Sequence, residues 1–316
     1  MKIPRRYQWL SAILLSFILL EAGLRLFLGL GYPVLSMADA QTGYRFQPNQ
    51  NRHRLGKKQQ YNQYSQRSEA VVMPKPDRTF RILMVGDSVL NGGTPTDQSQ
   101  TISELLEGQL PATQKTVEVL NASAGSWGIG NQLGYLRKFG LFDSDILILQ
   151  IGTHDLVQPQ SQSDRVGHDP NYPDHLPFLA TQELWQRYLW PRLQSRFWET
   201  TPSEIPTTED LEQQFQKNMA DLQEIINLAQ ERSVMVYVLY TPNWVDVLPQ
   251  PSEPLYKNQF LDFLKGLHVP VIDIQQAWAN EPSRTVETYF RDSVHLTVAG
   301  HKAIAEKVRS RLSNKL

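Results

Sequence analysis

From residue 80 onward the chain alternates short, nearly all-aliphatic runs with amphipathic ones, and that rhythm restricts the fold more than any other feature. Strands are predicted at residues 80–86 (FRILMVG), 116–121, 145–152 (DILILQIG), 234–240 and 269–274. Helices are predicted at 101–109, 129–140, 208–232, 255–266 and 298–312; in the third, Leu211, Phe215, Met219, Leu222, Ile225, Ile226 and Ala229 recur at helical spacing. Strands without polar alternation are buried on both faces, and strand–helix alternation implies a parallel sheet between two helical layers. The expected class is therefore α/β, a three-layer α/β/α domain around a five-stranded parallel sheet. Residues 157–207, with Trp185, Trp190, Trp198 and many prolines, interrupt the rhythm after the third strand. An insertion there either walls a pocket or packs its own aromatics as a peripheral subdomain.

The N-terminus carries a different signal. Lys2, Arg5 and Arg6 precede an uncharged stretch at 9–20; Glu21 and Arg25 follow, then an apolar run at 26–32. Read through, 9–32 gives a helix of roughly 36 Å, enough for a hydrocarbon core of about 30 Å. Residues 1–32 are thus expected to be a signal-anchor or transmembrane helix. Glu21 and Arg25 would pair at i,i+4. The basic leader places the N-terminus in the cytoplasm and the remainder outside it, periplasmic or at the cell surface. Ala38-Asp39-Ala40 has the small-x-small form of a cleavage site, so a cleaved signal competes with this reading. Residues 33–79, polar and poor in aliphatic runs, are expected to form a stalk or linker arm. The basic cluster at 52–58 is read as a solvated face or a contact for anionic headgroups. Residues 80–316 form the remaining domain.

Composition narrows the chemistry. The chain has no cysteine, which excludes disulfides, a thiolate nucleophile and thiolate-held metals. Lysine and arginine number 31 against 32 acidic residues, which argues against nucleic acid as a partner. No metal and no cofactor is called for.

In a doubly wound sheet, ligands bind beyond the C-terminal strand ends. Gly86-Asp87-Ser88 follows the first strand, Gly152-Thr153-His154-Asp155 the third, and Asp292-Ser293-Val294-His295 precedes the last helix. A hydroxyl, an imidazole and a carboxylate on one sheet edge are the set that nucleophilic acyl transfer requires. Asp87 and Asp155 are read as local backbone braces, and Trp127 as either pocket wall or core. His168, Asp169, Asp174 and His175 form a weaker cluster in the insertion.

These blocks, in this order, resemble the SGNH (GDSL-type) hydrolase family. Gly86–Gly92 reads Gly-Asp-Ser-x-x-x-Gly, residues 121–128 (NASAGSWG) are similar to the second block, Gly152-Thr153-His154-Asp155 has His154 in the place of an asparagine, and 292–295 reads Asp-x-x-His. The resemblance implies a flavodoxin-like SGNH hydrolase fold, with Ser88 as nucleophile, His295 as base and Asp292 orienting it. It further implies an oxyanion hole from the Ser88 N–H, a backbone N–H at Gly125 or Ser126, and His154. The expected function is a serine esterase acting on an acyl ester, with O-acylated glycans and lipids as substrate classes. Two alternatives remain open. One is an O-acyltransferase using the same residues; the other is a catalytically inactive envelope-binding or assembly protein on the hydrolase scaffold.

Overall fold

The aliphatic runs lie side by side in the computed structural model, which describes residues 4–110, 116–197 and 207–313. In chain order these residues form a long helix α1 (Arg5–Leu28) and two antiparallel hairpins. The first pairs β1 (Ser36–Asp39) with β2 (Gly43–Phe46), the second β3 (Gln50–Arg54) with β4 (Lys57–Tyr61). The sheet strands follow: β5 (Thr79–Gly86), β6 (Thr116–Ser123), β7 (Ile146–Gly152), β8 (Met235–Thr241) and β9 (Val271–Asp273). The longer helices between and after them are α2 (Ile102–Gln109), α3 (Ile129–Phe139), α4 (Thr208–Gln230), α5 (Lys257–Gly266) and α6 (Val298–Leu312).

All five sheet strands are parallel, in the order β6-β5-β7-β8-β9. That is the flavodoxin-like order, with its switch point where β6 and β7 flank β5. Alternate residues go to opposite layers. Leu83, Val85, Leu147, Leu149 and Val238 meet α3, α4 and α5, whereas Ile82, Met84, Ile148 and Leu239 meet α2 and α6. Both faces are therefore dry, which is why these strands carry no polar alternation. Helix α4 begins where Thr207 Oγ1 accepts the Asp210 N–H (3.1 Å) and the Asp210 carboxylate accepts the Thr207 N–H (2.9 Å), a reciprocal cap.

The expected stalk at 33–79 is corrected. Its hairpins fold back on the domain, and Tyr44 and Val71 enter the same core as α3 and α4. Arg67 N donates to Asn121 O (2.8 Å), so the arm runs along the β6 edge. The fully buried Arg67 guanidinium donates to the carbonyls of Asn91 (2.5 Å), Gly93 (2.8 Å) and Thr96 (2.6 Å). Burial lowers its pKa, and these carbonyls satisfy its donors instead of a carboxylate. A polar composition hid this packing because the arm is held by hydrogen bonds more than by aliphatic area.

Helix α1 is the one described helix long and apolar enough to cross a membrane. Residues 5–20 are exposed throughout, and the last turns dock on the insertion. Glu21 pairs with Arg25 (2.7 Å), as the i,i+4 spacing implies, and accepts the backbone N–H groups of Ala180 (2.6 Å) and Thr181 (3.1 Å). Gly29 ends the helix at φ +64°, with its N–H on Arg25 O; a Cβ there would collide with the His53 carbonyl.

The insertion is helical from Ala180 to Phe197, with a π-helical stretch at Leu184–Leu189. Its Glu183 is the knot beneath these pieces. It binds the Arg54 guanidinium, accepts the Gly31 N–H (2.6 Å) and pairs with Arg187 (3.3 Å). Arg54 and Glu183 are almost wholly buried. Trp198 lies outside the described residues.

Removing one member of a buried pair strands the other charge. Glu183→Ala is therefore expected to destabilise the protein by about 3–5 kcal/mol, read as a lowered denaturation midpoint. The double variant Arg54→Met/Glu183→Met should recover much of that loss. Equal midpoints for wild type and Glu183→Ala would contradict the assignment.

Candidate active site

The turn after β5 is built on contacts that leave no room for other residue types. A Cβ at Gly86 would strike Gln150 Oε1, the acceptor of the Asp87 N–H (3.0 Å). Asp87 is fully buried, and its Oδ1 accepts the Val89 N–H (2.7 Å), capping the short helix Ser88–Asn91. Ser88 thus stands at the helix start, with its hydroxyl turned toward the loop ahead of α6.

On that loop His295 Nε2 lies 3.0 Å from Ser88 Oγ, and its Nδ1 lies 2.9 Å from Asp292 Oδ2 and 3.0 Å from Oδ1. Asp292 Oδ1 also accepts the backbone N–H groups of Val294 (3.0 Å) and His295 (2.8 Å). Burial opposes ionisation of Asp292, but the two amides and the His295 ring outweigh it and hold the carboxyl below its ordinary pKa. An ionised Asp292 keeps the neutral ring's proton on Nδ1 and leaves Nε2 free to accept the Ser88 proton. The loop is fixed by Ser293 O, which accepts the Trp244 N–H (2.8 Å), and by the Arg291 N–H on His295 O (2.8 Å). A hydroxyl, a base and an orienting carboxylate in this sequence can deprotonate the serine and reprotonate a leaving alcohol.

Ser88 and His295 open into a cavity of about 200 Å³. The arm and the insertion make most of its wall: Tyr44, Phe46 and Tyr61 from the hairpins, Tyr172 and Arg187 from the insertion. These residues were not legible as site residues. The available signal was aromatic residues two apart at Tyr44 and Phe46, which puts both on one face of a strand. Tyr44 Oη donates to Gly125 O (2.5 Å), its ring meets Tyr172 edge-on at 4.9 Å, and Tyr61 Oη donates to Asn91 Oδ1 (3.2 Å). Gly125 lines the cavity; Ser126, at φ +57°, is exposed, and its carbonyl accepts Gln158 Nε2 (2.9 Å) and the Ser161 hydroxyl. Trp127 is core, buried, with its Nε1–H on Tyr44 O (2.9 Å).

His154 departs from the expected donor to an oxyanion. Its Nε2 lies 2.8 Å from Asp87 Oδ2 and its Nδ1 lies 3.0 Å from Asn243 Oδ1, so both ring nitrogens are engaged. Asp155, wholly buried, accepts the Gly152 N–H through Oδ2 (2.7 Å), and its Oδ1 sits 3.6 Å from His154 Nε2. Burial works against an imidazolium, but the charge of Asp155 and the hydrogen bond and charge of Asp87 prevail and raise the His154 pKa to about 10. Burial and the Asp87 charge push the Asp155 carboxyl upward. Asp87, His154 and Asp155 bring donor atoms within 4.8 Å of one another, but internal hydrogen bonds already use both His154 nitrogens and both Asp87 oxygens. In the insertion, His175 Nδ1 pairs with Asp174 (2.6 Å) and His168 Nδ1 lies 3.2 Å from Val166 O.

A folded pKa near 10, above the ordinary 6.5, makes the His154 contribution complete below about pH 6.5 and lost as pH rises through 10. The wild-type Tm should therefore fall between pH 7 and 10 more steeply than that of His154→Asn. Parallel profiles would show that His154 is uncharged in the fold.

A family model described as "GDSL-like Lipase/Acylhydrolase family" matches residues 84–303. Among solved structures, protein YXIM of Bacillus subtilis is similar at 13% identity and TM-score 0.46, over 77% of this chain and 59% of that one. The chain thus spans under two thirds of that protein's length. The acetyl xylan esterase AlAXEase is similar at 16% identity and TM-score 0.47, over 74% of this chain and 100% of that one. A lipase/acylhydrolase from Enterococcus faecalis stands at 16% and 0.45, over 75% and 97%. No curated protein matches the chain.

Proposed function

The chain belongs to the GDSL-like lipase/acylhydrolase family, a family of ester-hydrolysing enzymes, and on that premise we propose that it is a membrane-anchored serine esterase working through Ser88, His295 and Asp292. The observation that carries this reading is the continuous relay from Ser88 Oγ to His295 Nε2 (3.0 Å) and from His295 Nδ1 to Asp292 (2.9 Å). Ser88 Oγ attacks the ester carbonyl while His295 takes its proton; Asp292 steadies the imidazolium that results. The oxyanion is held by the Ser88 N–H at the helix start and a backbone N–H at Gly125. His295 returns the proton to the departing alcohol; it then deprotonates the water that attacks the acyl-enzyme and hands that proton to Ser88 Oγ as the acid leaves.

His154 serves a positioning role in this reading. It balances the buried Asp87 carboxylate, one residue before the nucleophile, and so fixes the turn that presents Ser88.

The substrate is an O-acylated lipid or glycan outside the cytoplasm. Retention of the anchor is supported by the first hairpin: cleavage after Ala40 would remove β1, with Ser36 and the neighbouring Val34, from the cavity wall.

The test is steady-state hydrolysis of nitrophenyl acetate by the purified full-length protein. Ser88→Ala and His295→Ala should each lower kcat by about 10³-fold or more. Retention of a tenth or more of the wild-type rate by folded Ser88→Ala would defeat the assignment.

A further inference from the structure

The end of α1, the insertion and the catalytic cavity form one connected unit with an exposed apolar side. Residues 5–20 of α1 span roughly 24 Å, short of a hydrocarbon core of about 30 Å. A spanning α1 must therefore carry the core on to its last turns, where Leu26 and Phe27 (83% exposed) remain uncovered. Those same turns are where the insertion docks. Glu21 and Arg25 bind the insertion backbone at Ala180, Thr181 and Phe178, and Leu24 and Leu30 pack with Ala180, Leu184 and Tyr188. Whatever depth the last turns of α1 occupy, Ala180, Leu184 and Tyr188 occupy beside them.

The faces of that segment divide accordingly. Ala180, Leu184 and Tyr188 recur every four residues and face α1; Glu183 and Arg187 turn to Arg54 and the cavity. Trp185, Leu189 and Leu193, again four apart, are exposed with Trp190, and Phe178 just upstream is 87% exposed. Tryptophan and leucine on one side of a helix beside a membrane span is the composition of an interfacial element.

We propose that the Ala180–Phe197 segment, with Phe178, lies at the headgroup–acyl boundary of the bilayer that α1 crosses, so that the Ser88 cavity receives acyl esters of membrane-borne amphiphiles. The inference rests on the anchored-esterase reading above and names its substrate class. Arg187 of the segment lines the cavity with Ser88 and His295, and Val34, another wall residue, follows the end of α1 by six residues, a reach of about 20 Å at most. A cavity of about 200 Å³ accommodates the reacting ester end and leaves the remainder of the amphiphile in the bilayer.

The absence of cysteine makes the test direct, since any introduced thiol is unique. Full-length Leu14→Cys, Phe178→Cys, Leu189→Cys and Gln216→Cys are labelled with an environment-sensitive fluorophore. Each is then reconstituted into phosphatidylcholine–phosphatidylglycerol vesicles containing doxyl lipid. Labels at 14, 178 and 189 should be quenched, and the label at 216, exposed on α4, should not. Quenching at 14 with 178 and 189 behaving like 216 overturns the interfacial inference while leaving the anchor intact. Absence of quenching at 14 overturns the anchor and the inference together.

A second readout concerns substrate. Trp185→Ser/Leu189→Ser should lower turnover of vesicle-borne 1-palmitoyl-2-acetyl phosphatidylcholine at least tenfold and leave soluble nitrophenyl acetate turnover within twofold. Equal effects on the two substrates contradict the proposal. No turnover of either substrate by wild type would instead count against the esterase reading.

Discussion

The carboxylate of Asp87 is the interaction on which the site depends. It is buried directly before Ser88, a position that is costly for a charge without partners. Each of its oxygens is engaged: one caps the helix that starts at Ser88, the other binds His154. His154 in turn is held by Asn243 beyond β8, and the Asp87 N–H by Gln150 of β7. The turn at Ser88 is thereby tied to β7 and to the segment after β8 by a network reaching across the sheet. The half-buried imidazole of His154, its pKa raised by the charges of Asp155 and Asp87, is the partner that the buried Asp87 carboxylate finds. That pairing explains how an imidazole is accommodated in the place of an asparagine.

The sheet and the Ser88, His295 and Asp292 constellation were legible because their determinants are local. An aliphatic run such as DILILQIG has few alternatives to a doubly covered strand, and Asp-x-x-His brings its own carboxylate to its own imidazole within one loop. Strand ends differed by a few residues, most at β9, which is shorter than the apolar pattern around it. Pairing with β8 ends there, and the chain turns directly into the helix Ile274–Trp278.

The arm and the role of His154 were hidden for the opposite reason. Lys57–Tyr61 reads KKQQY, with nothing in its composition to mark a strand, and it is one because residues distant in sequence satisfy it. Asp97 accepts the Lys58 N–H (2.7 Å), and Tyr61 reaches Asn91. Arg67 similarly looks like a surface charge until the carbonyls of Asn91, Gly93 and Thr96 are assembled around it. Those contacts join the arm to the segment just after Ser88, so a stretch whose polar composition reads as a spacer is part of the cavity wall. The insertion was readable only as an aromatic lobe; that its Glu183 holds the exit of α1 depends on a pairing with Arg54 over 129 residues of chain.

The central claim is that Ser88 is an activated nucleophile at the mouth of this cavity. The most direct measurement is reaction of the folded full-length protein with a fluorophosphonate, followed by intact mass and peptide mapping. A single adduct is expected, on the peptide that contains Ser88. Folded protein that acquires no adduct, or carries it on another residue, would contradict the claim.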